Sequence, residues 1–159
     1  MNKNEKWILE ALKCARFAQS IGEVPVGAVC VMDDQLISKG WNQTISSCDP
    51  TAHAEIIALK EAAKAIGNYR LLEIDLYVTL EPCIMCAGAI VHSRINKLVY
   101  AADDPKTGAI CTQMKLFETP FLNHHPKVIS GVLKKEASDL LSSFFKQRRL
   151  EIKQNNKKI

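Results

Sequence analysis

His53-Ala54-Glu55 and, 26 residues further on, Pro82-Cys83-Ile84-Met85-Cys86 carry the side chains best suited to metal chemistry in this chain. One imidazole and two thiols are three good zinc ligands, and three leave a tetrahedral ion one position short. Structural zinc is closed by four protein ligands, whereas catalytic zinc keeps a position open for water. The nearest candidate for a fourth ligand, Cys48, would have to swing in from the loop Ser46-Ser47-Cys48-Asp49-Pro50. Two thiolates and a neutral imidazole cancel the formal charge of the ion. The water it holds should then be less acidic than on an all-imidazole site, where the pKa falls to about 7. A neighbouring base is therefore useful, and Glu55 stands two residues from the histidine.

The spacing also constrains the elements. Residues two apart in a helix interior do not share a face, so His53 and Glu55 converge only in the first turn of a helix. Cys83 and Cys86, three apart, do share a face. Two helix N-termini are therefore expected to point at one ion, with dipoles that favour thiolates. Around these segments the chain reads as alternating helices and strands. Apolar positions at helical spacing mark a helix from Glu5 to Ser20, stopped by Gly22. Val24–Met32 is a nearly continuous apolar run, and Gln35–Trp41 returns beyond the Asp33-Asp34 turn. A helix capped by Thr51 should run to Ile66 and end at Gly67. Ile74–Leu80 reads as a strand, Cys83–Ser93 as a helix and Lys97–Ala102 as a strand. A short helix over Gln113–Glu118, a strand over Lys127–Leu133 and a helix over Lys135–Ile152 complete the pattern. Such alternation implies a layered α/β/α domain. Without repeats or a linker, residues 1–159 read as one domain, with 154–159 as a frayed tail.

At 159 residues, 47% hydrophobic and 24% charged, the chain has the size and composition of a domain with a real core. No apolar run approaches a membrane span, and the N-terminus lacks a secretory signal. Six scattered cysteines read as thiols in a reducing compartment, so the expected location is the cytoplasm. Net charge is +4, but residues 134–159 hold eight Lys/Arg against three Asp/Glu, leaving the rest near neutral. A basic end on a neutral body is a footprint for a polyanion, although a solvated helix end looks the same by charge alone.

The ordered pattern H-x-E…P-C-x-x-C is the zinc deaminase signature. The expected reaction is hydrolytic deamination. Glu55 would accept the proton of the attacking water and deliver it to a ring nitrogen and then to the departing amine. A carbonyl would remain and ammonia would leave.

Longer segments carry a closer resemblance. Glu23-Val24-Pro25-Val26-Gly27-Ala28-Val29, Asp49 through Glu55, Asn68-Tyr69-Arg70-Leu71 and Leu76 through Gly88 resemble the bacterial tRNA-specific adenosine deaminase family. His92-Ser93-Arg94-Ile95, Lys106-Thr107-Gly108-Ala109 and Leu140 through Phe145 with Arg148-Arg149 extend the similarity across residues 5–153. The resemblance implies a cytidine-deaminase-like three-layer α/β/α sandwich around a five-stranded mixed sheet. It implies deamination of the wobble adenosine of a tRNA anticodon loop to inosine by a homodimer, with RNA touching both subunits, one zinc per subunit and no organic cofactor. By the same resemblance His53, Cys83 and Cys86 are the ligands and Glu55 the proton shuttle. Asn42 holds the flipped base, Val26 and Ala54 wall the pocket, and Asp104, Lys106, Phe144 and Arg149 contact RNA. On residue chemistry alone Asn42 reads as a turn residue, Phe144 as core, and Lys106 and Arg149 as solvated charges. His92 reads as structural, and His124 and His125 as exposed loop residues. Asp103-Asp104-Pro105 and the His124-His125-Pro126 stretch depart from the family pattern. The competing readings are a deaminase of a free base or nucleoside (guanine, cytosine or cytidine) on the same zinc core, and a zinc-stabilised binding module. The first needs a closed lid where this chain has Lys146-Gln147-Arg148-Arg149; the second has no use for Glu55.

Overall fold

The structure, a computed structural model, describes residues 1–158. Helix α1 (Lys3–Ser20) begins with a reciprocal cap: the Glu5 amide donates to Asn2 Oδ1 at 2.9 Å and the Asn2 amide to Glu5 Oε2 at 3.1 Å. Strands β1 (Gly27–Met32) and β2 (Gln35–Trp41) form a hairpin, followed by α2 (Ala54–Ile66), β3 (Asp75–Leu80), α3 (Ile84–Ser93) and β4 (Lys97–Ala102). A 3-10 turn (Leu116–Glu118), a short β5 (Lys127–Ile129) and the long α4 (Lys134–Lys157) complete the chain.

The sheet has five strands in the order β2-β1-β3-β4-β5. β1 pairs antiparallel with β2 and β3, while β3–β4 and β4–β5 are parallel. The expected mixed sheet in an α/β/α sandwich is thus present. Alternation along each strand sorts the two faces. Leu76, Val78, Leu98 and Tyr100 pack with α2 and α3, whereas Tyr77, Val99 and Ala101 pack with α1 and Ala137 of α4. No helix among the described residues is long and apolar enough to cross a membrane.

Where the boundaries differ from expectation, side-chain competition or local geometry explains it. The Val24–Met32 run pairs only from Gly27, because Val26 N–H folds back to Val24 C=O around Pro25. Thr51 does not cap α2: its amide and hydroxyl both donate to Asp49 Oδ1, and the cap position falls on His53. Over Gln113–Glu118 only the last three residues are helical, as a 3-10 turn, and the final strand ends at Ile129. Helix α4 continues to Lys157, five residues beyond the Ile152 expected from the sequence; Ile159 lies outside the described residues.

One close approach brings α2 against the sheet edge. A Cβ on Gly40 of β2 would stand 2.2 Å from the Ala54 carbonyl oxygen and 2.7 Å from the Ala58 amide. Both obstacles are backbone, so no rotamer change relieves them. Gly40→Ala is expected to lower stability by about 1–3 kcal/mol, the usual cost of overpacking. The check is a Tm lowered by roughly 2–4 °C per kcal/mol; an unchanged Tm would show that α2 is free to shift.

Candidate active site

Both metal-binding segments begin helices. His53 occupies the cap position of α2 in an extended conformation (φ −78°, ψ 154°), and Cys83 does the same for α3 (φ −74°, ψ 176°). Neither side chain makes a capping hydrogen bond, so both are left for other partners. Asn42 supplies what His53 withholds: its Oδ1 accepts the Ala54 amide at 3.0 Å, satisfying one of the free donors of the first turn. Glu55 is the second residue of α2 and Cys86 the third of α3. Two helix N-termini therefore meet, as the spacing predicts.

Cys86 Sγ and Cys83 Sγ lie 3.5 and 3.6 Å from His53 Nδ1. All three ligand atoms lie within 4.8 Å of one another, and among the described residues this is the group of His, Cys, Asp and Glu close enough to hold a metal. Zinc bonds of ~2.3 Å to sulfur and ~2.0 Å to nitrogen at a tetrahedral angle subtend ~3.5 Å. The donor set therefore fits zinc. Cys48 is exposed and outside the cluster, so it supplies no fourth ligand.

The protonation pattern of the three is coupled. The hydrogen bond between the two thiols, together with His53, brings Cys83 down to about 4. The same bond and burial push Cys86 up. His53 is raised by its bond to Cys83, against the effect of burial. The cluster thus holds one thiolate ready to meet a cation. Glu55 is 4% exposed, and burial raises its carboxyl above the ordinary range. A carboxyl so placed can hold a proton between two transfers.

A cavity of about 90 Å³ opens at the cluster. His53, Glu55 and Cys83 meet Val26, Asn42 and Asp104 in its lining. Ala54 is fully buried, and its amide donates to Asn42 Oδ1. Lys106 is exposed, with its amide on Asp104 Oδ1, and Arg149 is exposed on α4; both stand outside this lining. Phe144, an RNA contact by the resemblance and a core residue by its chemistry, is buried on α4. It is 8% exposed, its ring lies edge-on to Phe145 at 5.5 Å, and the Arg148 guanidinium sits 5.2 Å from its centre. The reason is helical phase: Phe144 falls two turns after buried Ala137, on the face turned to the body. The ring presented to solvent at that turn is Phe145, 44% exposed.

Of the other histidines, His125 is the exposed loop residue expected, while His92 and the half-buried His124 depart from expectation. His124 and His125 bind the Ile95 and Phe117 carbonyls, whereas His92 is exposed and lines a second cavity of about 400 Å³ with Tyr69, Arg94 and Phe121. That larger cavity holds no thiol or carboxylate and offers no comparable chemistry.

Two buried acids escaped the sequence reading. Glu23, 1% exposed, accepts the Ser46 amide at 2.6 Å and so ties down the loop after β2. Glu81, at the end of β3, gathers donors from the loop after β4 and lines the cavity. Burial alone would push the Glu81 carboxyl up, but the donors from Cys111, Thr112 and Asp104 hold it below the ordinary glutamate range. The only signal in the sequence was an acid directly before the Pro-Cys pair.

Comparison with known proteins agrees with this geometry. The family model described as the cytidine and deoxycytidylate deaminase zinc-binding region matches residues 1–102. The tRNA-specific adenosine deaminase of Haemophilus influenzae is 56% identical over 151 residues, covering 94% of this chain and 87% of that protein. The protein of the same name from Bacillus subtilis is 43% identical over 159 residues, covering 100% and 99%. A solved structure from a study of A-to-I editing by tRNA:A34 deaminases at the wobble position superposes with a TM-score of 0.83 at 45% identity, covering 86% of this chain and 99% of that one. The chain belongs to the cytidine and deoxycytidylate deaminase zinc-binding family and, within it, to the tRNA-specific adenosine deaminases.

Proposed function

We propose that this chain is a zinc-dependent hydrolase that converts the wobble adenosine of a tRNA anticodon loop to inosine and releases ammonia. The observation that carries the chemistry is the His53, Cys83, Cys86 triad beside buried Glu55 at a cavity mouth. The substrate assignment rests on relatives that are 43–56% identical over nearly their full length and are named for tRNA.

His53 Nδ1, Cys83 Sγ and Cys86 Sγ would hold one zinc per subunit. Zinc, when bound, supplies a Lewis acid that makes a water nucleophilic near neutral pH. Glu55 takes the proton of that water as it attacks the amine-bearing carbon of the purine. Its carboxyl passes that proton to the ring nitrogen, then takes the remaining proton of the added hydroxyl and delivers it to the leaving amine as the C–N bond breaks, so that a carbonyl remains. Asn42 orients the base: with its oxygen committed to Ala54, its NH₂ is left to donate to a purine acceptor. Val26 forms an apolar wall, and Ala54 keeps the α2 backbone close behind it. Asp104 and Lys106 meet the RNA from the loop after β4.

On α4, Arg149 is the phosphate contact, while Phe144 holds the helix against the body so that Arg149 faces outward. Residues 1–159 act as one domain, in a homodimer in the cytoplasm.

The deciding experiment measures inosine formation from an anticodon stem-loop against free adenosine, guanine and cytidine. Turnover confined to the stem-loop is the expected result; turnover of a free base at a comparable rate would overturn the substrate assignment. A second expectation concerns α4. Arg149→Ala should weaken stem-loop binding and reduce the slope of log K against log salt by about 0.7, the value for one single-strand phosphate contact. Titrations at several salt concentrations check it, and an unaltered slope would return Arg149 to a solvated surface charge.

A further inference from the structure

Five donors converge on one buried carboxylate at the edge of the cavity. Glu81, 2% exposed, accepts from the Asp104 amide at 3.1 Å and the Thr112 hydroxyl at 2.6 Å through Oε1. Its Oε2 accepts from the amides of Ile110, Cys111 and Thr112 at 3.1, 2.8 and 3.1 Å. Every donor belongs to the one loop between β4 and the 3-10 turn. No lysine or arginine among the described residues pairs with Glu81. The charge is met by backbone dipoles, as in an anion nest.

The loop is then folded a second time. Asp104 accepts the amides of Lys106 and Thr107 at 3.0 and 3.1 Å through Oδ1, and the Thr107 hydroxyl at 2.8 Å through Oδ2. A chain of contacts therefore runs from Glu81 to Asp104 and on to Lys106 and Thr107. Asp104 and Thr107 line the same cavity as His53 and Glu55. The wrap is close enough to demand glycine: a Cβ on Gly108 would lie 2.4 Å from Glu81 Cδ and 2.2 Å from Thr112 Oγ1.

We propose that Glu81 is a positioning residue for deamination. Its buried carboxylate holds the Asp103–Thr112 loop as a preset rim of the cavity, so that Asp104, Lys106 and Thr107 meet the nucleotides flanking the target base without being ordered anew. A rim fixed in advance spares binding the cost of immobilising it. Glu81 lies outside the ligand group, and both its oxygens are taken by donors of the loop, through which it acts. The proposal rests on the tRNA deaminase reading above.

Glu81→Gln tests it, because the substituted amide turns an acceptor into a donor facing N–H groups. The expected result on the stem-loop is a KM raised about tenfold or more, with kcat within about threefold and zinc content unchanged. Amide exchange at residues 104, 110, 111 and 112 should speed up by a similar factor while the sheet amides hold. Gly108→Ala supplies the second variant, since it pushes the loop off an intact carboxylate and should reproduce the same KM signature. A lower Tm with wild-type KM in both variants would make Glu81 purely structural. A fall in kcat at unchanged KM, or a loss of zinc, would place its action on the metal cluster and overturn the loop assignment. Failure of the unsubstituted protein to act on the stem-loop would instead count against the substrate reading, and the exchange rates would still decide whether Glu81 holds the loop.

Discussion

Cys86→Ala is expected to leave the chain without bound zinc and without measurable turnover. Cys86 is fully buried on the first turn of α3, 3.5 Å from His53 Nδ1, and among the described residues no spare thiol or imidazole stands near enough to replace it. Removing it leaves two ligands where catalytic zinc needs three. The loss should reach beyond chemistry. The site joins the starts of α2 and α3, and metal bound only by the folded state contributes its binding free energy to folding. Elemental analysis should return about one zinc per unsubstituted chain and close to none for Cys86→Ala. Chelator should lower the Tm of the former and leave that of the latter unmoved. Full zinc in the variant would overturn the ligand assignment.

Glu55→Ala is expected to separate binding from chemistry. The residue lies two positions from His53 but outside the ligand cluster, so zinc should remain at its wild-type level. Removal of a positioned acid–base group costs about 10²–10⁴ in rate, and a turnover loss of at least that order is expected at saturating stem-loop. Binding of the stem-loop should persist, because the RNA contacts assigned to Asp104, Lys106 and Arg149 are untouched. Single-turnover rates with parallel zinc analysis check the prediction; near-normal turnover would remove Glu55 from the mechanism.

Much of this was legible in the chain itself. Strands β2 and β4 follow from apolar and β-branched runs bounded by turn residues, and they match residue for residue over Gln35–Trp41 and Lys97–Ala102. Helices α1 and α3 follow from apolar spacing. In each case the forces that decide the element act within a few residues, through periodicity and local turns. Boundaries failed where two local partners compete, as when Asp49 captures Thr51 and moves the start of α2 to His53.

The sequence by itself determined the chemistry: the number and type of ligands, the acid beside them, and the requirement that both segments start helices. Those are properties of residue type and short spacing. Only the tertiary structure decided which distant groups serve that chemistry. Asn42 reaches across 12 residues to cap α2, and Glu81 reaches across 23 to 31 to gather the cavity rim. Phe144 turned inward, leaving Phe145 and Arg149 outward, because the body that α4 packs against fixes its rotation. Hydrogen bonds between residues far apart in the chain, and the face a helix turns to its core, depend on how the sheet brings its ends together, and short-range pattern carries no record of that.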